Sequence, residues 1–103
     1  PIVGDWNGDL RDTIGLYDPA TGTFFLRNEN TPGFADLSFT FGGPGSTPLV
    51  GDWNLDGRDT IGIYVPATGF WFLRNTNSSG FADTSFGFGP VGVTPLVGDW
   101  DGL

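Results

Sequence analysis

The hexapeptide Pro1-Ile2-Val3-Gly4-Asp5-Trp6 returns as Pro48-Leu49-Val50-Gly51-Asp52-Trp53 and again as Pro95-Leu96-Val97-Gly98-Asp99-Trp100, each time after 47 residues. Aligned without gaps, residues 1–47 and 48–94 are identical at 32 of 47 positions. The 103-residue chain is therefore two full repeats, 1–47 and 48–94, followed at 95–103 by the start of a third. A unit of this size cannot bury both of its faces alone, so the repeats must be stabilised by packing on one another.

Within the first repeat, four extended stretches are separated by turn chemistry: Pro1–Trp6, Thr13–Tyr17, Thr23–Asn28 and Asp36–Gly42. The second repeat carries the same four. Asp18-Pro19-Ala20-Thr21-Gly22 and Val65-Pro66-Ala67-Thr68-Gly69 read as tight hairpin connections, with Pro presetting φ and Gly accepting a positive φ. Leu37, Phe39 and Phe41 alternate with Ser38 and Thr40, the period-two pattern of a half-buried strand, and Thr84, Phe86 and Phe88 repeat it. Ile14 and Leu16 share one face, as do Ile61 and Ile63. No stretch carries a helical period.

Four short strands in a repeat of this length predict an all-β chain of tandem four-stranded antiparallel propeller blades, two blades plus one extra strand. Propellers usually close with roughly 4–8 blades. Two blades cannot make that ring, so it closes only in a longer parent chain or by homo-oligomerisation. Pro95–Leu103, a duplicate of the innermost strand, is expected to be able to dock on a neighbouring copy. The competing architecture is a compact two-repeat sandwich or an open stack of blades.

Composition narrows the function. The chain has no Cys, His, Lys or Met, which removes thiolate metal sites, disulfides, imidazole bases and Schiff-base amines. Carboxylates, hydroxyls and four Arg remain, and the expectation is a chain that is not an enzyme. Paired-carboxylate catalysis would need an acid in an apolar cleft, whereas these acids sit in Gly-rich polar loops. A formal charge of -8 disfavours nucleic acid and anionic membrane surfaces as partners. No apolar run approaches the roughly 20 residues of a spanning helix. Starting at Pro1, without initiator Met or signal peptide, the chain reads as a processed, excised or engineered segment.

The acids are concentrated in one place. Asp5-Trp6-Asn7-Gly8-Asp9-Leu10-Arg11-Asp12 and Asp52-Trp53-Asn54-Leu55-Asp56-Gly57-Arg58-Asp59 each follow the first strand of a repeat, and Asp99-Trp100-Asp101 begins a third copy. Oxygen side chains at alternate positions of a tight loop suit Ca²⁺, which takes roughly six to eight oxygens in flexible geometry. The first, third and fifth positions are Asp5, Asn7 and Asp9, then Asp52, Asn54 and Asp56. Backbone carbonyls of Arg11 and Arg58 would supply the seventh. Asn, Asp and Gly are also the residues of ordinary β-turns and Asx-turns, so it is the recurrence at one place in the repeat that favours the metal.

With these motifs the chain resembles the FG-GAP or VCBS-type repeats of bacterial secreted proteins and of the integrin alpha propeller. The resemblance runs through Val-Gly-Asp-Trp, the acidic loop, Thr-Ile-Gly-x-Tyr, Phe-Leu-Arg-Asn and Phe-Ala-Asp. It implies a β-propeller stabilised by calcium, held in a loop between the first two strands of each blade, and an extracellular or cell-surface setting. Three features depart from that pattern. Thr13 and Thr60 stand where the family has Asp, with Asp12 and Asp59 one residue earlier, expected to reach the ion by another route or to pair with an Arg. The loop glycine differs, Gly8 before Asp9 in one repeat and Gly57 after Asp56 in the other, so the Asp52 site is expected to bind more tightly. The third loop supplies only Asp99 and Asp101.

The remaining candidates have plainer readings. Trp6, Trp53 and Trp100 are expected to fill space between blades, whereas Trp71 stands opposite Phe24 in the repeat alignment and is the residue to test for glycan stacking. Arg27 and Arg74 are expected to pair across strands with Asp36 and Asp83. The leading expectation is a non-enzymatic, calcium-binding propeller module with a structural, adhesive or protein-interaction role. The alternatives are a carbohydrate-binding module on the same scaffold, and a designed or recently amplified repeat with no ligand beyond metal.

Overall fold

The structure, a computed structural model, describes residues 1–101. It is all-β. Strands β1 (Ile2–Gly4), β2 (Thr13–Asp18), β3 (Thr23–Leu26) and β4 (Leu37–Thr40) form one antiparallel meander. Strands β5 (Thr47–Gly51), β6 (Thr60–Val65), β7 (Phe70–Leu73) and β8 (Thr84–Gly87) form a second with the same order. These are the two blades; they lie side by side with β1 against β5 and do not close into a barrel. No helix among the described residues is long and apolar enough to cross a membrane.

The hairpins form as their residues require. In the β2–β3 turn the amides of Thr21 and Gly22 both donate to the Asp18 carbonyl, Ala20 N donates to Asp18 Oδ1, and Gly22 takes φ of 74°. The β6–β7 turn repeats the backbone bonds around Val65, with Gly69 also at 74°. Without a Cβ this left-handed conformation is cheap.

The Val-Gly-Asp-Trp motif has a steric logic. After β1 the chain leaves the sheet, and the Trp6 ring folds back over Gly4, where an added Cβ would lie 2.8 Å from the indole. Trp6 Nε1 then donates to the Ile14 carbonyl at 3.2 Å, and Trp53 does the same to Ile61. This return is why β1 ends at Gly4 rather than continuing to Trp6 as the residue pattern predicts.

Pairing register puts Gly15, Tyr17, Phe24, Leu26, Leu37 and Phe39 on one face of blade 1 and Val3, Ile14, Leu16 and Phe25 on the other. The main core forms where blade 1 meets blade 2: Trp6, Phe24, Leu26 and Phe41 pack against Ile61 and Ile63, with Val50 and Phe72 beside them. A smaller cluster of Leu49, Tyr64 and Leu73, flanked by Trp53 and Trp71, lies on the far face of blade 2.

Pro95–Trp100 repeats the first-strand sequence but is not in a strand. A strand requires a hydrogen-bonding neighbour, and the third repeat contributes no second strand for it to pair with. The end of this 95–103 segment, Gly102 and Leu103, lies outside the described residues.

Candidate functional site

The two complete acidic loops are organised by their first residue. Asp5 Oδ1 accepts the amides of Gly8 and Asp9 at 2.8 and 3.1 Å, and Oδ2 that of Leu10 at 2.9 Å. Asp52 accepts Asp56 N on Oδ1 at 3.1 Å and Gly57 N on Oδ2 at 2.9 Å. The fifth-position carboxylates tie down the next turn, with Arg11 N donating to Asp9 Oδ1 and Arg58 N to Asp56 Oδ1. A loop this short satisfies its inward amides with its own carboxylates, which is why Asp and Asn alternate there.

Both loops use the same backbone despite the exchanged glycines. Gly8 and Leu10 have φ of 77° and 67°, Leu55 and Gly57 of 61° and 87°. Each loop thus needs two left-handed residues and has Gly at only one of them. At the earlier of the two positions Gly8 lies under the side chain of Arg58 from blade 2, 3.2 Å from where a Cβ would stand, whereas Leu55 projects into solvent.

In the second loop three side chains converge. The Asn54 amide nitrogen donates to Asp52 Oδ1 at 3.2 Å and to Asp56 Oδ1 at 3.3 Å. In the first loop, Asn7 Oδ1 accepts Asp9 N at 3.3 Å. No group of three or more acidic side chains that could hold a metal gathers among the described residues. The loops gather two carboxylates and one amide each.

Asp12 and Asp59 do not turn into their own loops. Asp59 Oδ2 accepts the Asp5 amide of the other blade at 2.8 Å, and Asp59 N donates to the Asp5 carbonyl at 2.8 Å. Its repeat equivalent Asp12 is exposed, with its carbonyl accepting from Asn30 Nδ2. Thr13 and Thr60 are buried at the start of their strands, with hydroxyls donating to Gly4 O and Arg74 O. They contribute no oxygen to the loop. Arg11 and Arg58 form no ion pair among the described residues. Asp99 lies beside Gly51, Asp52 and Trp53, while Asp101 sits at the end of the described chain.

Elsewhere the polar groups serve the scaffold. Arg27 and Arg74 reach Asp36 and Asp83 only at 3.7 and 3.5 Å. Their shorter bonds go to the β3–β4 and β7–β8 loops, Arg27 to Phe34 O and Thr31 Oγ1, Arg74 to Phe81 O and Ser78 Oγ. Trp71 lies in an aromatic stack with Tyr64 and Phe86 and donates Nε1 to the Phe88 carbonyl. It occupies the place that buried Phe24 has in blade 1. Burial raises the Tyr17 hydroxyl above the ordinary phenol range; the nearby Ser46 hydroxyl opposes this and the Asp18 charge adds to it.

No known protein family, curated protein or solved structure matches the chain.

Proposed function

We propose that this chain is a non-enzymatic structural module, a pair of propeller blades whose Asp-Asn-Asp loops each take one hard divalent cation, best suited to Ca²⁺. The observation that carries the reading is the convergence of Asp52 Oδ1 and Asp56 Oδ1 on the Asn54 amide, at 3.2 and 3.3 Å. Rotation of that amide would bring its oxygen to the same point, and three oxygens so placed can share one ion with bonds of roughly 2.3–2.6 Å. The rotatable Asn54 amide suits both states, its nitrogen bridging the carboxylates without a cation and its oxygen turning in with one. Three side-chain oxygens and a carbonyl from Arg58 leave the rest of the shell to water, a modest-affinity site of the kind used where calcium is plentiful. An extracellular or cell-surface setting and an adhesive or protein-interaction role accord with that.

Titration calorimetry with Ca²⁺, against Mg²⁺ as control, tests the proposal. Heat from one site per complete loop is expected, and a lower melting temperature in chelator. Asn54→Ala is expected to weaken one site and, because it also removes the two metal-free hydrogen bonds to Asp52 and Asp56, to lower the metal-free melting temperature slightly, with Asp52 still holding the loop amides. Absence of Ca²⁺ heat together with a melting temperature indifferent to chelator overturns the reading.

A further inference from the structure

We propose that the two open faces of this chain are the two halves of one joint, and that a second copy seats its blade 1 on the face that blade 2 leaves uncovered. The template is the joint inside the chain. There, blade 1 contributes Trp6, Phe24, Leu26 and Phe41, and blade 2 contributes Ile61 and Ile63. The repeat places the same two surfaces on the outside.

Leu16 is 58% exposed where its equivalent Ile63 is 3%, and Ile14 is 47% exposed where Ile61 is fully buried. On the far side, Phe88 is 71% exposed where Phe41 is 6%. Trp53 and Trp71 are partly open where Trp6 and Phe24 are buried. Apolar character is kept at all of these positions in both repeats, although each face is covered in only one blade. Exposed apolar surface on this scale marks an interaction site. The partner that fits each face is the other face, because that pairing already forms the core.

The polar part of the joint is also duplicated. Asp59 of blade 2 accepts the Asp5 amide of blade 1; across copies, Asp12 is the equivalent acceptor and Asp52 N the equivalent donor. One contact changes: Leu55 stands where Gly8 meets the stem of Arg58, so the incoming Arg11 meets a larger apolar residue. The 93–100 segment borders the same aromatic face, lining a cleft with Tyr64, Trp71 and Phe88. It repeats the sequence of the incoming β1 and therefore competes with it. Such a contact is heterologous, and repetition closes a ring of two to four copies if roughly 4–8 blades are needed.

This inference does not depend on the cation, and its test can be run in chelator. Sedimentation velocity from low micromolar to near millimolar concentration is expected to show a discrete assembly of two to four copies. Leu16→Glu and Phe88→Glu each block one half of the joint, and each is expected to sediment as a monomer with an unchanged β-sheet circular dichroism spectrum. Mixed in equal amounts they are expected to form a heterodimer, since each retains the half that the other lacks. Val3→Lys serves if Leu16→Glu does not fold. Removing residues 95–103 is expected to tighten association. A wild-type chain that is monomeric throughout, blocked variants that still self-associate, or loss of assembly when the tail is removed each overturn the proposal.

Discussion

Asp59 holds Asp5 from both directions, its carboxylate taking the Asp5 amide and its own amide giving to the Asp5 carbonyl, both at 2.8 Å. The two residues are 54 positions apart and belong to different blades. Asp5 also anchors its loop, so the blade joint and the loop share one residue.

Asp59→Ala would leave the amide of Asp5, a buried residue, without an acceptor, a loss of about 1–3 kcal/mol. Asp59→Asn keeps an acceptor oxygen and is expected to cost less. Asp12→Ala, at the equivalent but exposed position, is expected to be nearly neutral in the isolated chain. Urea unfolding of the three variants in chelator checks the order. Equal losses at Asp12 and Asp59 would remove the clamp as the explanation.

The left-handed leucines give the opposite sign. Leu10 and Leu55 have φ of 67° and 61° and project into solvent, so each carries steric strain of about 1–2 kcal/mol with little packing in return. Part of the gain from Gly is cancelled by its greater unfolded-state freedom. Leu10→Gly and Leu55→Gly are each expected to stabilise by about 0.5–1 kcal/mol, read as a higher melting temperature. Gly8→Leu should destabilise, since it combines a left-handed side chain with the Arg58 contact.

The blades were legible because their signals are local: alternation in β4, Pro and Gly in the hairpins, and a repeat that sets the boundaries. The loops were legible as a set of residues but not as a geometry. Nothing in the spacing of Asp12 or Asp59 shows that the partner is an amide in another blade, because that contact exists only after the blades pack. Thr13 and Thr60 begin the second strand of each repeat as the residue pattern indicates, and pairing takes their hydroxyls into the sheet, away from the ligand position that the family resemblance gives them. The Arg27–Asp36 and Arg74–Asp83 pairs legible from sign of charge are present at 3.7 and 3.5 Å; what the spacing does not show is that the same planar guanidinium groups also gather the carbonyls and hydroxyls of the following loop. The final segment has the pattern of a strand and lacks the neighbour that would make it one.

Gly4 makes the Trp6 fold-back possible. Its added Cβ would lie 2.8 Å from the Trp6 ring and from Val50 Cγ1 in the adjoining blade, and neither can yield without disturbing the core. Gly4→Ala is expected to cost about 1–3 kcal/mol through overpacking, visible in chemical denaturation. Gly98→Ala is the matched control: its Cβ would meet the Trp100 ring at 2.6 Å, but that ring is 78% exposed and can swing into solvent, so little effect is expected. A neutral Gly4→Ala would mean that the indole does not lie over the first strand.

Arg74 organises the β7–β8 loop through a fan of donors: Phe81 O at 2.9 Å, Ser78 Oγ at 2.8 Å, Thr76 Oγ1 at 3.0 Å and Ser79 O at 3.2 Å. A lysine ammonium is a point charge on a flexible stem and cannot reproduce that planar fork. Arg74→Lys is therefore expected to loosen residues 76–82, with faster amide hydrogen exchange there and a stability loss of about 1 kcal/mol. Changing the charge partner should matter less to the loop: Asp83→Asn removes an ion pair at 3.5 Å whose carboxylate is 39% exposed, while its amide oxygen can still accept from Asn75 N. If Asp83→Asn loosens residues 76–82 as much as Arg74→Lys does, the loop is held by charge rather than by the hydrogen-bond fan.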